Sequence, residues 1–225
     1  MDIYQTPQGM LIHVHDCGNY LVSELDNTLC LQLGSAEWNQ WDRDFFLGPG
    51  LVLALALRAV WSLHASAAMF KQKTVVFLGE SGTGKSTLAA YLSKISNWNL
   101  VADDILPVEM IANEIRVLPH FPQLKLSMNT QPGAGLPERL PLDKVCVMKL
   151  VTQDAAPELE LLPPSLAVQM LLRHTAGTRM FTPEMLGQHL SFCSQAASRI
   201  PVYQLSYPHR KGALPQVQEL LEKIC

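Results

Sequence analysis

Residues 79–86 read GESGTGKS, a string of the form G-x-x-x-x-G-K-[ST]. It constrains the fold more than any other feature of the chain. A loop of this kind works between a strand and a helix N-terminus, where backbone N–H groups curl around a polyphosphate and the helix dipole favours an anion. Both flanks are present. Residues 74–78 (TVVFL) are a short β-branched and apolar run, and residues 86–94 (STLAAYLSK) are good helix formers. Gly79, Gly82 and Gly84 admit backbone angles and close approaches that a Cβ would block. Lys85 is placed to reach the terminal phosphates and Ser86 to ligate Mg²⁺. Glu80, Ser81, Thr83 and Thr87 complete the expected nucleotide-binding set.

Two adjacent carboxylates, Asp103 and Asp104, close the run NLVADD and begin 18 residues after Lys85. A carboxylate at a strand end beside a phosphate loop holds Mg²⁺ directly or through water. A second one can take the proton of an attacking hydroxyl. Asp103 is the metal candidate and Asp104 the base. Neighbours on a straight strand point to opposite faces, so both serve one site only where the strand ends or twists. Pro107 points to an end nearby. His64, in SLHASA, lies on the first strand of a hairpin (62–70 and 74–78 around Lys71-Gln72-Lys73) that feeds the loop.

Composition narrows the class. The chain is 48% hydrophobic and 16% charged over 225 residues, enough for one good core, and its net charge of −3 argues against nucleic acid as the main partner. Five scattered cysteines (Cys17, Cys30, Cys146, Cys193 and Cys225) include no C-x-x-C pair and read as free thiols of a reducing compartment. The polar N-terminus lacks signal-peptide character. The most apolar run, 48–59, is too short for a membrane span and reads as a buried helix at about 50–61. A cytoplasmic protein without a membrane partner is the expectation.

Along the chain, strands are expected at 11–15, 20–23 and 29–33, then a Trp-rich polar stretch at 35–44. Further strands are expected at 100–102, 114–118, 124–128, 145–151 and 202–206. Residues 131–141 read as a Pro/Gly loop. Helices are expected at 165–174, after Thr182 as N-cap, and at 215–224. Residues 1–46 are expected to form a small β-rich lobe on the core, and 47–225 the domain that carries the loop.

The run LHASAAMFKQKTVVFLGESGTGKST, followed by LVADD, resembles the HPr serine kinase catalytic domain, which groups with the phosphoenolpyruvate carboxykinases. The likeness covers about 62–110 well, and 115–128 and 143–206 more loosely. It implies an α/β fold, a mixed β-sheet of that family's type around the phosphate loop, with the small N-terminal β-rich lobe beside it. It implies that Lys85, Ser86, Asp103 and Asp104 stand at the family's phosphate, metal and acid–base positions, and that His64 stands where the family has a histidine upstream of its loop. It also implies ATP as donor, Mg²⁺ as cofactor, and a homo-oligomer as a candidate state. The chain departs from the family in three ways. It lacks the separate N-terminal regulatory domain and an EVRGLGI-like signature after the Asp pair, and Thr87 replaces the usual acidic residue. These features resemble the short stand-alone branch, some members of which phosphorylate a lasso-type precursor peptide.

The expected activity is transfer of the γ-phosphate of ATP to a hydroxyl, a Ser of a peptide or protein. A sugar or nucleoside kinase, a non-catalytic ATP-sensing module and a regulated NTPase stay open as alternatives. Lys125, Arg173 and Arg179 are candidates to steady transferring charge, with no basis in the sequence for choosing among them. His13 and His15 share a strand face but are too few to hold a metal.

Overall fold

In a computed structural model that describes residues 1–15, 18–23, 40–122 and 135–225, the N-terminal residues build a small antiparallel sheet. Strands β1 (Asp2–Thr6), β2 (Gly9–Val14) and β3 (Gly18–Val22) pair in that order. Alternation along β2 and β3 turns Met10, Ile12, Tyr20 and Val22 into the main core. β1 carries too little apolar character to stand out in the sequence, since it is held by its ladder to β2. The strands expected at 29–33 and 124–128, residues 35–39 of the Trp-rich stretch, residues 131–134 of the Pro/Gly loop, and Lys125 lie outside the described residues.

The buried helix expected at 50–61 is displaced. Helical backbone runs from α1 (Gln40–Phe45) through one π-turn (Phe46–Gly50) that contains Pro49, into α2 (Leu51–Ala56). It stops there because Ala59 takes a positive φ of 56° and Trp61 opens a strand. The apolar run therefore hides a helix-to-strand transition that hydrophobicity alone does not mark.

The large sheet has eight strands: β4 (Trp61–Phe70), β5 (Lys73–Leu78), β6 (Trp98–Ile111), β7 (Glu114–Val117), β8 (Leu140–Pro141), β9 (Lys144–Val151), β10 (Glu158–Leu161) and β11 (Val202–Pro208). Their order is β10-β11-β9-β5-β4-β6-β7-β8. β5, β9 and β11 are parallel to one another and the remaining pairs are antiparallel, so the sheet is mixed. The β4–β5 hairpin turns on Lys71 and Gln72, both at positive φ (44° and 72°), as a two-residue turn matched to strand twist requires.

Both faces of the sheet are covered, which is why β5 reads as an unbroken apolar run. Val75 and Phe77 pack with Leu88 and Leu92 of α3 (Lys85–Leu92) and with Val217 and Leu221 of α6 (Leu214–Ile224). Val76 and Leu78 face the opposite core, with α2, α4 (Pro164–Arg173), α5 (Pro183–Arg199) and the small sheet. Thr182 caps α5, accepting from the Met185 N–H at 3.2 Å as its position ahead of Pro183 suggests. Among the described residues no helix is long and apolar enough to cross a membrane.

One buried polar group gives the fold a pH dependence. His189 of α5 is 1% exposed, with Nε2 at 2.9 Å from Thr175 Oγ1 and 3.3 Å from Cys193 Sγ, against the rings of Trp61 and Phe181. Burial pushes its pKa down to about 4. In the unfolded chain a histidine titrates at about 6.5. Between those values the unfolded chain holds a proton here that the folded chain refuses, so stability is present above pH 6.5 and is lost as pH falls towards 4. A loss on the order of 2 kcal/mol is expected in urea unfolding across that window, and His189→Gln should flatten the profile.

Candidate active site

β5 ends at Leu78, and the glycine loop leaves the sheet at the C-terminal ends of the three parallel strands, where open α/β sheets place their ligands. It lands on α3 through Gly84, at φ 89°, with no side-chain cap on the helix. Such an N-terminus attracts an anion. Two of the glycines are required sterically. A Cβ on Gly84 would run into the Tyr207 hydroxyl, which donates to the Thr83 carbonyl. A Cβ on Gly79, at φ 153°, would lie 2.8 Å from Thr83 Oγ1 and 3.2 Å from the Met148 carbonyl oxygen. Thr83 Oγ1 donates to the Glu80 carbonyl at 2.8 Å and closes the loop on itself. Burial raises the Tyr207 pKa, so the phenol keeps its proton for the bond to the loop. Lys85 Nζ donates to the carbonyls of Gly79 (2.7 Å) and Glu80 (3.1 Å). The ammonium thus sits over the loop mouth, on acceptors that a phosphate oxygen can replace.

The Asp pair reaches the same cleft by a route the sequence does not show. β6 does not end near Pro107; it runs on to Ile111. Pro107 is tolerated because β7 pairs only from Val108 outward, and the Pro107 carbonyl accepts from the Leu118 N–H beyond the end of that ladder. What breaks the alternation is the backbone itself. Asp104 sits at φ 102°, a conformation that side-chain-bearing residues rarely adopt. Asp103 pairs with Ser66 and Asp104 with Ala65, yet both residues line one cleft. Strain of this kind concentrates at functional sites. Ser66 Oγ donates to Asp103 Oδ1 at 2.5 Å and fixes that carboxylate.

β5 pairs with β4 only from Ser66 to Phe70, which leaves the start of β4 without a neighbour on that side. Residues 174–176 occupy the place. The His64 N–H donates to the His174 carbonyl, and the Ala176 N–H to the Ser62 carbonyl, each at 2.7 Å. This crossing brings the end of α4 to the loop. Arg173 Nη2 pairs with Glu80 Oε1 at 2.8 Å. Both side chains are exposed, so the pair matters for where it holds the guanidinium more than for stability. Burial lowers the His174 pKa; Glu80 opposes that shift, while Lys85, Arg173 and His64 add to it.

The resulting cleft has a volume of about 880 Å³. It joins His64, Gly79, Glu80, Ser81, Gly82, Gly84, Lys85, Ser86, Thr87, Asp103 and Asp104, all expected from the sequence. Thr83 stands behind the loop, largely buried, and acts on its shape. Arg173 lines the cleft and Arg179 does not. Ser66, His174 and His209 line it too, and sequence reasoning missed their part. Only Ser66 had a usable signal, since it lies two residues after His64 and shares its strand face. His13 and His15 lie elsewhere, on Asn19 (2.7 Å) and Asp2 (3.1 Å).

Among the described residues no cluster of three or more His, Cys, Asp or Glu side chains is arranged to hold a metal. Mg²⁺ in nucleotide sites needs none, because one or two carboxylates and the substrate phosphates hold it. Ser86 and Asp103 fit that donor set, and the glycine cradle fits a polyphosphate.

No family model and no curated protein matches the chain. Solved structures similar to it include the Hpr(Ser) kinase/phosphatase of Coxiella burnetii, at 15% identity and a TM-score of 0.39, over 72% of this chain and 88% of that one. A likeness at this level assigns neither family nor activity. The chemistry therefore rests on the cleft.

Proposed function

We propose that the chain is an ATP- and Mg²⁺-dependent kinase that transfers the γ-phosphate to a hydroxyl, a Ser side chain of a peptide or protein. The reading is carried by one observation: a second acidic residue, the strained Asp104, lines the cleft that the glycine loop and Lys85 already define. Asp103 and Ser86 would hold Mg²⁺, which supplies charge neutralisation on the phosphates. Lys85 and the loop amides would bind the β and γ phosphates, with His64 beside the terminal one. Asp104 would accept the hydroxyl proton as the acceptor oxygen bonds to the γ-phosphorus and the bond to the β-phosphate oxygen breaks. Arg173 would leave Glu80 for the transferring group. Such transfer depends mainly on positioning and charge neutralisation. The exposure of Glu80, Ser81, Ser86 and His64 at the rim suits an acceptor presented on a chain rather than one enclosed.

The test is incubation with ATP, Mg²⁺ and Ser-bearing peptides, with sugars and nucleosides in parallel, followed by mass spectrometry. A gain of one phosphoryl group on a peptide Ser, lost in a peptide with that Ser changed to Ala, is expected. Transfer to a sugar or nucleoside alone would replace the peptide reading. ATP binding with transfer to neither would leave a nucleotide sensor.

A further inference from the structure

A second cavity, of about 260 Å³, adjoins the cleft at Gly84. Tyr207 and Leu214 form its apolar wall, and Arg210 and Lys211 line its polar side. Gly84, Thr87 and His209 line both spaces, so the two are neighbours across the end of the loop. The His209 ring comes within 3.6 Å of where a Gly84 Cβ would stand. Tyr207 lies near the end of β11, and His209, Arg210 and Lys211 follow that strand, which is parallel to β9 as β9 is to β5, so they emerge at the same end of the sheet as the loop.

We propose that this cavity seats the purine of the nucleoside triphosphate whose phosphates occupy the glycine loop; the inference rests on the phosphate reading above. The cavity adjoins the end of the loop, and its volume and its planar and apolar lining suit a flat ring. Leu214 and the Tyr207 ring remove one face of a purine from water. The Arg210 guanidinium and the His209 imidazole are planar groups that stack on aromatic faces. The base is held by stacking at the end of α3, and the phosphates run past Gly84 into the loop.

Binding of ATP and of inorganic tripolyphosphate, each with Mg²⁺, separates the two readings by calorimetry on the whole chain. The wild type should bind ATP more tightly than tripolyphosphate. Arg210→Ala, at an exposed position, should weaken ATP about fivefold or more, with tripolyphosphate changed by less than about twofold at physiological salt. Leu214→Ala alters no charge and should act in the same direction, with its thermal midpoint confirming that it folds. If both variants bind ATP as the wild type does, the base lies elsewhere and the phosphate reading stands. If Arg210→Ala weakens both ligands equally, Arg210 is a phosphate ligand and the purine assignment is wrong. If the wild type binds neither, both readings fall together.

Discussion

Lys85→Met should lower phosphoryl transfer by about a thousandfold while leaving the fold intact. A preorganised cation beside a transferring phosphoryl group is worth on the order of 3–4 kcal/mol of barrier. The structure says why the fold survives. Lys85 Nζ donates to two carbonyls of its own loop, those of Gly79 and Glu80. Losing such contacts changes stability by about 0.5 kcal/mol or less. Single-turnover transfer, measured beside urea unfolding, separates the two effects. A variant that retains transfer within tenfold of the wild type would mean that the loop binds phosphate without assisting its departure.

Asp104→Asn should reduce transfer by about a hundred- to ten-thousandfold, the usual contribution of a positioned general base, with nucleotide affinity little changed. Full activity in this variant would end the general-base assignment. A companion substitution, Asp104→Gly, has a second signature. Glycine adopts φ 102° without the penalty that Asp104 carries. The variant should be inactive yet more stable, by about 1 kcal/mol in denaturant unfolding. Loss of activity with gain of stability would identify strain held for function. Asp103→Asn should behave differently. It weakens the acceptor of the short Ser66 hydrogen bond, and it should raise the Mg²⁺ concentration needed for transfer.

Legibility varied along the chain for physical reasons. The unit 73–92 was read nearly to the residue, because strand, glycine loop and helix start are encoded in consecutive positions. The β4–β5 hairpin and the Thr182 cap were equally local. The apolar stretch before β4 was misread, since a helix, a π-turn and the start of a strand share one hydrophobic run. The proposed ending of β6 at Pro107 was wrong for a related reason. A proline stops a strand only where its missing N–H is needed, and that depends on how far β7 reaches. The Asp pair was found by its spacing, but the manner of its convergence was not.

By itself the sequence determined that a glycine loop would stand between a strand and a helix, and that Lys85, Ser86 and two acids would lie close in the chain. These are properties of neighbouring residues, set by backbone angles, propensity and spacing. Only the tertiary structure decided that both acids share one cleft, that Ser66 holds one of them, and that Arg173 and His174 arrive from α4. It also decided that Tyr207 and His209 close the far side of the loop. Each of these depends on which strand pairs with which, in what register, and on which segment covers the edge of β4 that β5 leaves. Such contacts join residues from 37 positions apart, as Ser66 and Asp103, to 124, as Thr83 and Tyr207, and no local pattern records them.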